Sequence, residues 1–392
     1  MDPNPEQICA QPGNHKRETY KVQDRIDSLT SLRFFAALAI ILHHLNGVLW
    51  IPKPTLYGIL LNQGVSFFFV LSGFILQHSY RNRIGRITSA HFFALRFFRL
   101  WPCHIAVLGL LLLTNGKEVN DWYLHHKTAG QLLSATFLMQ SWSTTSENVF
   151  LLNAPSWSLS TELFFYFLFP LLCRQGLLSA YRPLFIGSVV TGIWLIFLSF
   201  GTPNGELSVL AGIVPLARLL EFSIGISLYE LIQRQYIRLP SGSVFEIIAL
   251  ALVVFAVGVS PTIARVVEID IGSAALAWWF SNTGSFWAFA ALIAIFFTSK
   301  GFINRWLIYP PIVFLGEISF GLYLVHQPVI SFLTGSGTWF TDFNVWVQIL
   351  VFVALVISLS TALHFCVEKP VMAVVKRFFL KKDTNPANLR TN

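Results

Sequence analysis

Arg33 and His44 stand eleven residues apart at the start of the first long apolar stretch of the chain. On a helix, eleven steps of about 100° make three turns plus roughly 20°, so both side chains share one face. At about 1.5 Å per residue they lie roughly 16 Å apart along the axis. A guanidinium at one rim of a membrane and a titratable imidazole more than halfway across point to a ligand lying along the helix. One end of that ligand would be anionic and the other reactive. Ionisable groups are costly in hydrocarbon and are functional candidates by default.

The remaining polar residues sort into two layers. At the rim of Arg33 stand Arg96 and Arg99, in Arg96-Phe97-Phe98-Arg99. Their i, i+3 spacing puts them on one helix face. Three guanidinium forks from two segments suit phosphate oxygens; the plainer alternative is that they face lipid headgroups and set topology. In the opposite half the sequence places His44, Glu162 and His326. A histidine beside a carboxylate is a common arrangement for a tuned and oriented general base; hydrogen bonding between helices is the alternative. His43 points about 100° away from His44 and would only support it. Arg218 and Glu221, again at i, i+3, read as an internal ion pair that neutralises two costly charges. Ser72-Gly73, within a phenylalanine-rich stretch, marks a place where another helix or a thin ligand can come close. Phosphate-binding glycine loops, GxSxG, HExxH and metal-ligand spacings of His and Cys do not occur.

The elements that must position these residues are membrane helices. The chain has 392 residues, 54% hydrophobic and 12% charged, against about 25% charged in an ordinary soluble domain. Apolar runs recur along its length, and only helices or closed barrels satisfy their backbone in lipid. The pattern predicts an all-α, polytopic helical bundle of about ten transmembrane helices: 31–50, 58–79, 100–114, 155–173, 184–200, 207–229, 243–260, 273–298, 312–332 and 345–367. A polar cytoplasmic tail (1–26), a membrane domain (27–370) and a basic cytoplasmic tail (371–392) are expected, with no signal peptide. The net charge of +8 does not indicate nucleic acid, because the basic residues cluster in short loops on one side. With both termini cytoplasmic, only Lys53, Lys117, Lys127 and Arg265 fall outside, and Arg218 within a span, leaving 22 of the 27 Lys and Arg inside. Residues 131–151 hold too short an apolar run to cross and are expected to be interfacial or re-entrant. A crossing there would also flip Arg174, Arg182, Arg234, Arg238, Lys300 and Arg305 to the outside.

Seven segments in order resemble the acyltransferase-3 family of integral-membrane acyltransferases. They are Asp27-Ser28-Leu29-Thr30-Ser31-Leu32-Arg33 running on to His44, and Gly64-Val65-Ser66-Phe67-Phe68-Phe69-Val70-Leu71-Ser72-Gly73-Phe74. Arg96-Phe97-Phe98-Arg99 follows, then Pro155-Ser156-Trp157-Ser158-Leu159-Ser160-Thr161-Glu162 with Phe165-Tyr166. Arg218-Leu219-Leu220-Glu221-Phe222, Ile318-Ser319-Phe320-Gly321-Leu322-Tyr323-Leu324-Val325-His326-Gln327-Pro328 and Glu368-Lys369-Pro370 complete the set. Ser66 and Gln327 depart from the commoner acidic and aromatic residues of the family, which bears on acceptor choice. The esterase-like soluble domain fused to some members is not expected here.

The resemblance implies a multi-pass enzyme of the cell (inner) membrane. It would move an acyl group, often acetyl, from cytoplasmic acyl-CoA to an extracytoplasmic carbohydrate or glycolipid. Acyl-CoA is then a co-substrate, and neither a permanently bound cofactor nor a metal is expected. Arg33, Arg96 and Arg99 would meet the CoA phosphates, with Ser72 beside the pantetheine arm, whose extended length is of the order of the Arg33–His44 separation. His44 is the expected general base. Glu162 either orients His44 or binds the acceptor; His326 does one of these or protonates the leaving thiolate. An acyl-histidine intermediate remains an alternative to direct transfer. A transporter or flippase for a sugar-linked lipid is the rival class, but it should show internal repeats, and none is seen.

Overall fold

In hydrocarbon each backbone amide must find a partner within the protein, and a helix supplies it within its own segment. Among the described residues, every element of the computed structural model is a helix. The structure describes residues 12–45, 61–83, 87–114, 125–173, 178–200, 204–335, 340 and 342–383. The principal helices are α1 (Pro12–Leu45), α2 (Gly64–Tyr80), α3 (Ser89–Thr114), α4 (Ala129–Thr136), α5 (Trp157–Leu172), α6 (Arg182–Ser199), α7 (Asn204–Gly212) and α8 (Pro215–Gln233). They continue as α9 (Ser243–Val266), α10 (Ala274–Thr283), α11 (Phe286–Thr298), α12 (Pro310–Glu317), α13 (Ser319–Gly335), α14 (Val345–Leu363) and α15 (Lys369–Asp383).

Each of the ten expected spans has a helical counterpart, but fewer meet the length of a full crossing. Seven helices are long and apolar enough, and the pair α12–α13, bent by 58°, makes an eighth. The two that fall short are α2, with 17 residues, and α5, with 16. Three boundaries also moved. The third helix starts at Ser89 rather than near 100, so Arg96 and Arg99 lie inside it, and Pro102 is accommodated in its interior. Helix α1 begins at Pro12, within the segment expected to be a polar tail; once nucleated by the apolar stretch, a helix propagates at little cost. Helix α14 runs through a π-turn at His364–Glu368 into α15 rather than ending at 367. Lys53, Lys117, Arg174 and 384–392 of the basic tail lie outside the described residues.

The segment expected to be re-entrant is built from pieces too short to cross. Its longest helix, α4, has eight residues, about 12 Å of rise against the ~30 Å hydrocarbon core. Helix α4 starts on a reciprocal cap: Gln131 N–H bonds the Thr128 hydroxyl, and the Thr128 N–H bonds the Gln131 side chain. His104 of α3 ties the segment to the start of α5. Its Nε2 donates to the Ala135 carbonyl at 3.0 Å, and its Nδ1 lies 3.1 Å from the Ser156 hydroxyl.

The centre of the bundle is α8. In the apolar stretch Glu206–Gln233, which α7 and α8 share, 83% of residues are buried, against 22% in α6. Helix α8 crosses α2 through two glycines: a Cβ at Gly73 would strike the Phe222 carbonyl, and one at Gly225 the Val70 carbonyl. The close helix approach expected at Ser72-Gly73 is therefore real, and it turns Ser72 towards a cavity on the far side of α2. Arg218 and Glu221, also on α8, form the expected ion pair at 2.8 Å, with 1% and 0% exposure. The guanidinium further donates to the Asn282 carbonyl at 3.1 Å and to Ser66 Oγ at 3.2 Å. Ser66 is thus occupied with this buried packing network rather than with the cavity.

Candidate active site

A cavity enclosing about 830 Å³, part of it open to solvent, lies between α1, α2, α3, α5 and α13. Its polar lining is Arg33, Ser72, Arg96, Arg99, Ser158, Glu162, Tyr166 and Tyr323. Helix periodicity explains much of this grouping. Ser158, Glu162 and Tyr166 follow at i, i+4 and i+8 along one face of α5, while Arg96 and Arg99 share a face of α3. Tyr166 and Ser158 carried no individual role in the sequence argument, although that spacing was present in it.

The three arginines are brought together as expected, and they differ from the ion-paired arginines of the bundle. Arg218 has Glu221 as its partner, and Arg81 and Arg234 share Glu230 at 2.8 and 3.1 Å. Among the described residues no carboxylate lies within 4.0 Å of Arg33, Arg96 or Arg99. Arg96 is steadied by aromatic rings instead, 4.7 Å from the Tyr80 centroid and 5.9 Å from that of Tyr166, and its Nε is buried without a hydrogen-bond partner. Glu162 is the one acid among the lining residues. Glu368, seen in the sequence only as part of a motif, is a further electrostatic neighbour of Arg33 and Arg99. The cavity therefore carries a surplus of fixed positive charge, which only an anion can balance.

The second layer assembles differently from the expected triad. His44 and His326 do meet, with Nδ1 of the first 3.0 Å from Nε2 of the second. His326 is fully buried, and its Nδ1 donates to the Tyr323 carbonyl at 2.7 Å. His43 stands beside His44 in an edge-on contact, ring centroids 5.6 Å apart. Glu162 does not join them. Its Oε1 accepts from the Ser72 hydroxyl at 2.9 Å and from the Tyr166 hydroxyl at 2.5 Å, which ties it to the arginine layer. The sequence placed Glu162 in the same half as the histidines, but its lateral neighbours depended on which helix lies against α5. Ser72, expected beside the donor, lines the cavity with its hydroxyl engaged by Glu162.

Tyr323 connects the layers. Its ring lines the arginine cavity, and its backbone carbonyl holds His326. Its hydroxyl donates to the Pro155 carbonyl at 3.0 Å and lies 2.8 Å from Ser158 Oγ. Neither histidine is among the residues lining the cavity; the pair is joined to it through Tyr323, whose ring centroid is 6.0 Å from that of His326. The arrangement can hold an anion among the arginines, with the histidine pair packed behind Tyr323.

Comparison with known proteins agrees with this chemistry. The acyltransferase domain of the acyltransferase-3 family matches residues 26–365. The chain is 28% identical over 391 residues to acyltransferase MdmB of Streptomyces mycarofaciens, covering 90% of this chain and 93% of that protein. It is 26% identical over 358 residues to the O-acetyltransferase OatA of Staphylococcus aureus, covering 86% of this chain and 55% of that longer protein. No solved structure matches the chain.

Proposed function

Since the chain belongs to the acyltransferase-3 family and is a multi-pass membrane acyltransferase, we propose that it transfers an acyl group, in the simplest case acetyl, from cytoplasmic acyl-CoA to a hydroxyl of an extracytoplasmic carbohydrate or glycolipid. The observation that carries this proposal is the set of three arginines, none with a carboxylate within 4.0 Å among the described residues, around one cavity joined to a histidine pair through Tyr323. The phosphates of CoA supply the missing negative charge and suit the guanidinium forks. The pantetheine arm follows the cavity past Ser72 and Glu162 towards Tyr323, bringing the thioester towards His44. Both MdmB and OatA are named for acyl transfer.

His44 acts as general base on the acceptor hydroxyl as it attacks the thioester carbonyl. The separation of the layers keeps donor phosphates and reacting carbonyl at opposite ends, so donor affinity and chemistry are separable by mutation. The test is CoA binding to the full-length protein in lipid nanodiscs. The Arg96→Ala/Arg99→Ala double variant is expected to lose CoA affinity while His44→Ala retains it and loses turnover. Undiminished CoA affinity in the double variant would assign both arginines to topology and remove the basis for the donor.

A further inference from the structure

The contact between His44 and His326 has a direction. The Tyr323 carbonyl oxygen can only accept, so His326 Nδ1, 2.7 Å away, carries a hydrogen. A neutral imidazole has one N–H, which leaves a lone pair on His326 Nε2. That nitrogen is 3.0 Å from His44 Nδ1, so the hydrogen between them sits on His44. The Ile40 carbonyl, one turn back on α1, is a second acceptor for this His44 N–H, and with Nδ1 of His44 donating, its lone pair is on Nε2. The ring geometry agrees. The centroids are 5.1 Å apart and the planes differ by 23°. That separation is close to the N···N distance plus the two ring radii, so the rings lie end to end and nearly coplanar. In that pose an N–H points along the neighbouring lone pair.

We propose that His326 is a positioning residue that holds His44 in the Nδ1–H tautomer, leaving Nε2 of His44 as the base; this rests on the acyl-transfer function proposed above. The acceptor O–H passes its proton to His44 Nε2 while its oxygen bonds to the thioester carbonyl carbon. His44 becomes an imidazolium whose Nδ1–H is still donated to the His326 lone pair, which stabilises the new charge. The C–S bond then breaks, its electron pair leaves with sulfur, and the proton on His44 Nε2 passes to the thiolate. The products are an ester and a free thiol, and both histidines return to their starting forms. In serine proteases a carboxylate orients the catalytic imidazole. Here a neutral ring does so without placing another fixed charge in the membrane. Glu162 is free for the arginine layer because His44 already has its orienting partner.

Two substitutions separate the relay from simple packing. His326→Leu fills the space but offers no acceptor, whereas His326→Gln offers an amide oxygen to His44 Nδ1–H. Both are measured in full-length protein in nanodiscs with acetyl-CoA, water serving as the acceptor, following kcat, KM for acetyl-CoA and the pH profile of kcat. The Leu variant is expected to lose at least ~10²-fold in kcat and to change the pH profile, with KM nearly unmoved. The Gln variant is expected to recover a substantial part of kcat. Unchanged kcat and pH profile in the Leu variant, or no advantage of Gln over Leu, would overturn the relay. Nitrogen-15 spectroscopy of the histidine-labelled wild-type protein reads the tautomer without any substitution; a protonated His44 Nε2 in the resting enzyme would also overturn it. His44→Gln measured in parallel distinguishes the two levels. If it keeps normal turnover, the base assignment itself fails; if it is inactive while His326→Leu behaves as wild type, only the relay fails.

Discussion

Replacing Arg96 with alanine should weaken donor binding without weakening the fold. The guanidinium sits 4.7 Å from the Tyr80 centroid, its Nε is buried without a partner, and no carboxylate lies within 4.0 Å of it among the described residues. Its loss removes one of three like charges facing the single acid of the cavity lining, so the empty protein is relieved of repulsion. The bound state loses a hydrogen bond to a charged group, about 1.5–3 kcal/mol. That corresponds to about a 10- to 150-fold rise in Kd for CoA. Arg96→Lys should recover only part, because lysine restores the charge but not the planar fork or the flat contact with Tyr80. The comparison is Arg218→Ala, which leaves Glu221 buried at 0% exposure without its partner. Breaking such a pair costs about 3–5 kcal/mol of stability. The assay is CoA titration in nanodiscs together with thermal unfolding in the same preparation. If Arg96→Ala kept its CoA affinity and lost melting temperature as Arg218→Ala does, the distinction drawn between paired and unpaired arginines would be wrong.

Gly225→Leu should sharply reduce folded yield, because even its Cβ meets the Val70 carbonyl at the α2–α8 crossing; overpacking of this kind costs about 1–3 kcal/mol or more, and normal yield and melting temperature would refute the crossing. His44→Gln should reduce turnover by about 10²–10⁴-fold, the range for loss of a general base, whereas His43→Ala should be much milder; steady-state acetyl-CoA turnover separates them. Single cysteines at 235–240 should resist an impermeant thiol reagent applied from outside the cell. Labelling there would mean that the segment containing α4 crosses the membrane.

The helical composition, the approximate places of ten apolar segments and the pairing of Arg218 with Glu221 were legible in the sequence, because each depends on neighbours within one helix. The shared face of Arg96 and Arg99 belongs to the same class: three residues along a helix return a side chain to nearly the same direction. So does the run Ser158, Glu162, Tyr166, which went unused until the cavity gave that face a meaning. Span ends were less legible, since α14 runs through His364–Glu368 into a polar amphipathic helix without a break that composition marks.

Only the tertiary structure decided which faces meet. His44 and His326 touch across 282 positions of sequence, Glu162 turns to Ser72 and Tyr166 rather than to a histidine, and His104 fastens the segment containing α4. Periodicity states which residues share a face of a helix; it does not state how that helix is rotated against its neighbours or how deep it sits. In water an apolar stripe would reveal the buried side. In a bilayer lipid tails are as apolar as leucine, so hydrophobic pattern does not distinguish the face turned to lipid from the face turned to protein. The rotation is settled instead by close packing at sites such as Gly73 and Gly225 and by the polar contacts that packing allows.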